Sequence, residues 1–225
     1  MTLILTNDDG IDAPGIRSLQ KAVKDKGIIV APNQQYSGCG HQVTTSKPVK
    51  ITKRSDRQYS VDGTPADCTR LGVTQLQKDV KWVLSGINAG GNLGVDTYIS
   101  GTVAAVREAA ILGIPGIAIS HWIKKPLVID WDLAADRTAK VLAKLWDTPL
   151  APHSFWNVNL PHLPPGAPEP VIIFCKTSIE PLEMNYKVDG DLYSYRGEYA
   201  KRDRAPGTDV DVCFSGNIAI TQISL

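Results

Sequence analysis

The sequence predicts an α/β protein: a Rossmann-like three-layer α/β/α domain with a mostly parallel sheet, followed by a β-hairpin-rich C-terminal extension. Apolar strand-like runs alternate with helical patterns up to about residue 160, and parallel strands need such helical crossovers. Prolines at positions 161, 164, 165, 168 and 170 then interrupt the pattern. We therefore predict one domain over residues 1–160 and an extension over residues 161–225, packed on the same domain, that mediates oligomerisation. Surface loops around the same core are the alternative for the extension.

The first unit is predicted to run strand, helix, strand. An apolar run at residues 3–5 precedes a helical pattern with apolar Ile16 and Leu19, and a second apolar run follows at residues 28–31. A helix is expected after Pro65, since proline suits the first helical turn. The same reasoning assigns further strands to residues 82–86, 116–120, 155–160, 171–175 and 217–223, and further helices to residues 102–112 and 133–146.

Charge and apolar content limit the classes of function. The formal net charge is +1, from 24 basic and 23 acidic residues spread along the chain, so neither duplex nucleic acid nor a membrane is an expected partner. No stretch approaches the ~20 apolar residues that span a bilayer, and the N-terminus lacks a basic segment followed by an apolar one. The four cysteines have no CxxC spacing, which favours a reducing compartment. We therefore expect a cytoplasmic protein with a small substrate.

Two adjacent carboxylates follow the first predicted strand. Ligands of an open parallel sheet bind outside the carboxyl ends of the strands, which is where Asp8 and Asp9 are expected. Neighbouring carboxylates raise each other's pKa unless a cation or hydrogen-bond donors compensate. A divalent cation removes that cost, so both residues are predicted metal ligands. The alternative, a turn or helix cap, accounts for one aspartate but not obviously for both.

Two further loops carry residues suited to ligand binding. The glycine-rich loop at residues 85–94 contains Asn88, whose amide oxygen is a ligand type that hard cations accept. Ser100, Gly101 and Thr102 stand at the start of a predicted helix, where free N–H groups can bind a phosphate. A flexible turn and ordinary capping are the respective alternatives. Neither GxGxxG nor GxxxxGK[ST] occurs, which disfavours a dinucleotide cofactor or a P-loop triphosphate.

The loop after the second predicted strand supplies two more candidates. Ser37 has a hydroxyl oxygen that a metal can bind, and His41 is a candidate acid or phosphate donor. An ordinary polar loop is the alternative for both. The other three histidines show no metal-ligand spacing, and HExxH does not occur.

Taken together, these motifs resemble those of the SurE family, the survival proteins that act as 5′- and 3′-nucleotidases. The shared segments are NDDG at 7–10 with APG at 13–15, AP at 31–32 with SG at 37–38, GTPADC at 63–68, SGINAG at 85–90 with Asn92, YxSGTVAA at 98–105 and PGTD at 206–209. Their order covers nearly the whole chain.

The resemblance implies one divalent metal ion per subunit, Mg²⁺ or Mn²⁺, and a homodimer or homotetramer assembled partly through the C-terminal segment. Carried over position by position, the metal ligands fall on Asp8, Asp9, Ser37 and Asn88, and all four are oxygen donors, as a hard cation prefers. The phosphate-facing residues fall on Asn92, Ser100, Gly101 and Thr102. His41 falls where only some members carry histidine. One departure is Gly91, where the family commonly has proline.

The predicted activity is acid-phosphatase-like hydrolysis of nucleoside 5′- and 3′-monophosphates, with 3′-nucleotidase and exopolyphosphatase side activities. We hypothesise that water attacks phosphorus in line with the leaving oxygen and that Asp8 or Asp9 accepts its proton. The alternative chemistry makes one of these aspartates a phosphorylated nucleophile. Two rival classes are a non-catalytic nucleotide sensor, which gains nothing from two carboxylates unless they hold a metal, and a metal-dependent transferase with a diphosphate leaving group.

Overall fold

Nine strands form one mostly parallel sheet. In a computed structural model that describes residues 2–225, they are β1 (Thr2–Thr6), β2 (Ile28–Pro32), β3 (Ile51–Ser55), β4 (Gln58–Val61), β5 (Val80–Ala89), β6 (Gly116–His121), β7 (Ser154–Leu160), β8 (Ile172–Phe174) and β11 (Ile218–Ser224). Their order across the sheet is β3-β4-β2-β1-β5-β6-β7-β11-β8. Strands β9 (Tyr186–Asp189) and β10 (Leu192–Tyr195) pair separately as an antiparallel hairpin.

Five α-helices connect and cover these strands. They are α1 (Pro14–Ala22), α2 (Pro65–Leu71), α3 (Gly101–Ile111), α4 (Trp131–Leu145) and α5 (Asp209–Phe214), with a π-helical turn at Gly72–Leu76 and 3₁₀ turns at Gly94–Tyr98 and Tyr199–Lys201. Local chemistry sets their starts: Thr64 and Asp67 form a capping box before α2, and the Asp130 side chain accepts two first-turn amides of α4. Within residues 2–225, no helix combines the length and apolar character needed to cross a bilayer.

The sheet has a separate apolar core on each face. Alternate residues of a strand face opposite sides, so Leu3 and Leu5 of β1 pack with α1 and α4, whereas Ile4 packs with Val30 and Cys68 on the α2 side. Helix α3 covers the same face as α2, through Val106 against β6 and β7. This confirms the predicted three-layer α/β/α class.

The architecture differs from the sequence-based expectation at several points. The glycine-rich stretch predicted as a loop from residue 85 begins inside β5, which continues to Ala89 through a register irregularity between Ser85 and Asn88. The hairpin formed by β3 and β4 was not predicted, because its strands are short and the outer one is polar and exposed.

The C-terminal portion returns to the main sheet. Strand β11 lies antiparallel to β7 and parallel to β8, so part of the region after residue 160 completes the sheet, while the β9–β10 hairpin stands apart from it. The domain boundary at residue 160 stays a prediction.

Candidate active site

Asp8 follows β1 and is tied to two other loops. Its side chain is buried, and its Oδ1 accepts a hydrogen bond from the Thr102 hydroxyl at the start of α3. Its backbone carbonyl accepts a hydrogen bond of 2.7 Å from the Tyr36 amide, in the loop after β2. Three segments that are distant in sequence therefore meet at this residue.

Gly101 allows the start of α3 to approach this carboxylate closely. A Cβ at Gly101 would lie 2.8 Å from Asp8 Cβ, 3.0 Å from Asp8 Oδ2 and 3.1 Å from Cys39 Sγ, so no larger residue fits without displacing its neighbours. The start of a helix carries free N–H groups and a partial positive charge. The helix start predicted to bind a phosphate and the Asp8 carboxylate are thus in direct contact.

Asp9 and Asn88 are brought together through the end of β5. The Ala89 amide donates a hydrogen bond of 3.3 Å to Asp9 Oδ2, which places the residue next to Asn88 against the second carboxylate. Asn88 Nδ2 donates to the Gly90 carbonyl at 2.8 Å. This bond commits the nitrogen end of the amide and leaves Oδ1 as the acceptor available to a ligand.

Burial disfavours the charged form of both aspartates. It raises the pKa of Asp8 to about 6, an effect that the Thr102 hydrogen bonds reduce and the neighbouring charge of Asp9 increases. Burial also raises the pKa of Asp9, against the hydrogen bond from Ala89. A desolvated pair of carboxylates gains most from a nearby cation, so the chemistry of these donors fits a divalent ion.

Ser37 lies at the exposed rim of this group. Its Oγ accepts a hydrogen bond of 2.8 Å from Gln35 Nε2, and the adjacent Tyr36 amide is bound to Asp8 as described above. In the part of the chain that the structure describes, no group of three or more His, Cys, Asp or Glu side chains is arranged to hold a metal ion. The candidate set has a different composition, since it combines two carboxylates with a hydroxyl and an amide.

The side chains predicted to face a phosphate have partners within the protein. Ser100 caps α3, with its Oγ accepting a first-turn amide at 3.1 Å, and Thr102 donates its hydroxyl to the buried carboxylate. Asn92 Nδ2 donates to Ser120 Oγ at 2.8 Å. The structure places the helix start formed by Ser100 and Thr102 beside Asp8 and Asn92 against Ser120 of β6. Their contact with a phosphate stays a prediction.

Two asparagines that were not predicted from the sequence hold the backbone of Asn92. Asn157 Nδ2 and Asn159 Nδ2 donate to its carbonyl at 2.9 and 3.0 Å, and its amide donates to Asn159 Oδ1 at 2.8 Å. The available signal was their spacing: two amides two residues apart lie on one face of a strand, and buried amides need partners.

His41 is held by an ion-pair cluster on the side of α3. Its Nε2 lies 2.7 Å from Glu108 Oε2, and Arg70 Nε donates to Glu108 Oε1 at 2.6 Å. Burial favours a higher pKa for Glu108, but the hydrogen bonds from His41 and Arg70 outweigh it and lower the pKa. The structure thus gives His41 an internal partner, and its contact with a phosphate stays a prediction.

We expect Glu108→Gln to destabilise the fold by about 2 kcal/mol near neutral pH, because two charge-assisted hydrogen bonds are lost. The folded-state pKa is depressed below 4.5, so the contribution of the carboxylate is complete above pH 4.5 and disappears as pH falls through the folded-state pKa. Urea unfolding of both proteins between pH 3 and 7 measures this. A difference in stability that grows on acidification contradicts the assignment.

The C-terminal portion contacts the glycine-rich segment through Tyr199. Its hydroxyl lies 2.6 Å from Asp96 Oδ2 and 3.3 Å from the Gly91 carbonyl oxygen, and Arg202 Nη1 donates to the same Asp96 oxygen at 2.6 Å. A Cβ at position 91 would lie 3.1 Å from the Tyr199 hydroxyl oxygen. Glycine at this position, in place of the proline expected from the resemblance, therefore leaves room for a contact that fixes the segment.

Tyr199→Phe is expected to lower the free energy of unfolding by about 1–2 kcal/mol, because the buried Asp96 carboxylate loses one hydrogen-bond donor. Urea unfolding followed by circular dichroism measures the change. Tyr98→Phe is the matched control, since the Tyr98 side chain is exposed. Equal effects of the two substitutions would show that the Tyr199 hydroxyl contributes nothing specific.

The chain is similar to known proteins over most of its length. Residues 3–180 match the family model described as survival protein SurE. The protein alr3139 from Nostoc sp. (strain PCC 7120) is 62% identical over 224 residues, which cover 99% of each chain. The 5′-nucleotidase SurE of Paramagnetospirillum magneticum (strain AMB-1) is 38% identical over 244 residues, covering 99% of this chain and 89% of the relative.

A solved structure shows the same architecture. The crystal structure of the SurE protein from Aquifex aeolicus aligns with a TM-score of 0.87 and 32% sequence identity, covering 100% of this chain and 93% of that one. Sequence and fold therefore agree over almost the whole length, and the chain belongs to the SurE family of survival proteins.

Proposed function

We propose that this protein is a metal-dependent phosphomonoesterase that hydrolyses nucleoside 5′- and 3′-monophosphates to nucleoside and phosphate. The observation that carries the proposal is the contact between a buried carboxylate, Asp8, and the start of α3 at Gly101, with Asp9 directly beside it. Such a pair of acids opposes phosphate binding unless a cation lies between them. Relatives named 5′-nucleotidase SurE support the choice of nucleotides as substrates.

One Mg²⁺ or Mn²⁺ ion per subunit would be held by Asp8, Asp9, Asn88 and Ser37. The support is the donor chemistry: two desolvated carboxylates, an amide whose oxygen end is free of the Gly90 contact, and a hydroxyl at the rim. When bound, such an ion supplies positive charge that offsets the phosphoryl oxygens and activates water.

The protein's own residues then have distinct tasks. The N–H groups at the start of α3, around Gly101, are suited to bind the equatorial oxygens of the phosphoryl group. The Thr102 hydrogen bond orients Asp8, and Asp9 is the less buried of the two acids and is suited to accept a proton from attacking water. Asn92, fixed by the asparagines of β7, would complete the wall of the phosphate site.

Phosphate release separates the proposal from its rivals. Purified protein is incubated with 5′-AMP, 5′-GMP and 3′-AMP, with Mn²⁺ or with chelator, and free phosphate is measured. We expect release with Mn²⁺ and none with chelator. Binding of nucleotide without release would indicate a sensor, and transfer from a sugar nucleotide would indicate a transferase. Undiminished release in chelator would refute the metal requirement.

Stereochemistry distinguishes the two hydrolytic routes. A single in-line displacement by water inverts configuration at phosphorus in a chiral thiophosphate ester, whereas two displacements through a phosphorylated aspartate retain it. We propose the first route and expect inversion. The same assay with tripolyphosphate measures the exopolyphosphatase side activity that accompanies the proposal.

The subunit is proposed to assemble into a homodimer or homotetramer through the β9–β10 hairpin, and to act in the cytoplasm. A two-stranded hairpin has little stability by itself in water, and this one exposes large apolar side chains: Tyr186, Val188, Leu192, Tyr193 and Tyr195. Light scattering after size exclusion measures the mass. Leu192→Asp with Tyr193→Asp should yield monomers, and an unchanged mass would contradict the role of the hairpin.

A further inference from the structure

A cavity lies on the opposite face of the sheet from the candidate active site. Its volume is about 290 Å³, and it is lined by the end of β6, the first half of α4, the segment before α4 at residues 127–130 and the segment after β7 at residues 162–167. Ser120 of β6 bonds to Asn92 on the α3 face. Because successive residues of a strand point to opposite faces, the next residue, His121, faces α4 and the cavity. The two sites are therefore separated by the sheet.

The cavity contains a buried arginine with an incompletely used guanidinium. The Arg137 side chain is 6% exposed. Its Nε and Nη2 lie 3.4 and 3.5 Å from Glu169 Oε2, at the long limit for hydrogen bonds. The shorter contact of Glu169 is with Lys140, at 2.7 Å. An arginine fork pairs best with a carboxylate through two short parallel bonds, and Glu169 does not make them.

Two buried histidines line the same cavity, with their ring centroids 5.0 Å apart and their planes perpendicular. His162 Nδ1 accepts the Lys124 amide at 3.0 Å, so the neutral ring carries its proton on Nε2, which is buried without a hydrogen-bond partner. His121 Nδ1 lies 2.7 Å from the Trp122 carbonyl and therefore carries the proton of that ring. Burial lowers the pKa of His121 to about 4, which leaves it neutral.

The charges around the cavity select the class of ligand. Arg137 is the permanent cation in the wall, and His121 adds no positive charge at neutral pH. Asp130 lines the cavity, and Glu169 beside Arg137 is paired with Lys140. The positive charges therefore do not exceed the negative ones, and a dianion such as phosphate would bring charge that nothing in the cavity offsets. The remaining wall is apolar, from Leu127, Val128, Leu133, Leu163, Pro164 and Pro165. Small-molecule pockets commonly combine an apolar wall with a few such convergent polar groups.

We propose that this cavity binds a small aliphatic carboxylic acid as its monoanion. The carboxylate of the ligand pairs with the guanidinium of Arg137 and replaces its two long contacts with Glu169. Glu169 keeps its shorter contact with Lys140. His162 supplies a further N–H donor, and the alkyl chain lies against the leucines. The site is independent of the proposed hydrolase activity, since it shares no side chain with the candidate active site.

Titration with sodium butyrate tests the proposal, with butyramide as the uncharged analogue and sodium phosphate as the dianion. Isothermal titration and saturation-transfer NMR on the intact chain, without added divalent metal, measure affinity. We expect butyrate to bind with a dissociation constant on the order of 1 mM and butyramide to bind at least about tenfold more weakly. Phosphate is expected at the candidate active site and should therefore not displace butyrate from the cavity. No saturable binding of butyrate, equal binding of butyramide, or displacement of butyrate by equimolar phosphate would overturn the proposal.

Three variants locate the binding site. Arg137→Met replaces the guanidinium by an unbranched apolar side chain and should weaken butyrate binding about tenfold or more. Lys144→Met removes the same charge from an exposed position of α4 and should leave the affinity within about twofold. Glu169→Gln should tighten binding several-fold, because it removes the competing carboxylate from Arg137. If Arg137→Met does not fold, the Glu169→Gln result decides: unchanged or weaker binding in that variant would refute the site.

Discussion

Asp8→Asn should lower the rate of phosphate release about a thousandfold or more, while the protein remains folded. The substitution removes one charge from the proposed cation site and keeps the shape of the side chain, so the coordination and orientation it supplies are lost together. Stability should hold or rise slightly, because burial already disfavours the charged form of this carboxylate. Phosphate release from 5′-AMP with Mn²⁺, measured beside urea unfolding, checks both outcomes.

Asp12→Asn is the control for this substitution. Asp12 is an exposed acid in the same loop region that pairs with Arg54 at 2.7 Å, so the variant should keep activity within about twofold, as surface changes usually do. Wild-type turnover by Asp8→Asn, in a preparation shown to be folded, would remove the basis of the proposed function.

Gly15→Ala is expected to cause the largest loss of stability, at about 3 kcal/mol or more. A Cβ at Gly15 would lie 1.9 Å from the Ile87 carbonyl oxygen and 3.3 Å from the Trp131 ring. Backbone atoms cannot rotate away as a side chain can, so either α1 or the end of β5 must shift. Because Asn88 follows directly, the substitution should also lower phosphate release. Chemical unfolding measures the first effect.

Gln20→Ala on the same helix separates this clash from a general effect on α1. Gln20 is partly exposed, and alanine favours helix. The free energy of unfolding of this variant should therefore differ from that of the wild type by no more than about 0.5 kcal/mol. A Gly15→Ala variant as stable as Gln20→Ala would show that α1 does not rest on the β5 backbone as described.

Much of the order of elements could be predicted because strands such as β1, β2 and β6 contain unbroken apolar runs. Strand β1 is buried on both faces, as parallel strands between two helical layers are, and α4 shows a clear apolar stripe. The β3–β4 hairpin and α5 could not be predicted this way. The outer strand β3 is exposed and polar, and α5 has only six residues, too few for periodicity to show.

Part of the candidate site could likewise be predicted from the sequence, and part could not. Asp8, Asp9 and Asn88 could be placed together from sequence because the carboxyl ends of parallel strands share one edge of the sheet. Asp8 and Asp9 follow β1, and Asn88 lies at the end of the neighbouring β5. The contacts of Asn157 and Glu108 could not be predicted. Each depends on which residues of a neighbouring strand or loop lie opposite, and that depends on register and helix orientation rather than on local sequence.

The closeness of residue 91 to the Tyr199 ring links two positions that are more than a hundred apart in the chain. A bulkier residue at 91 crowds the phenol oxygen, so the pair should change together over evolutionary time: proline should accompany a shorter residue at 199, and glycine a tyrosine. Replacing only one of these two residues by that of a relative should lower the stability of the protein. Replacing both together should restore it.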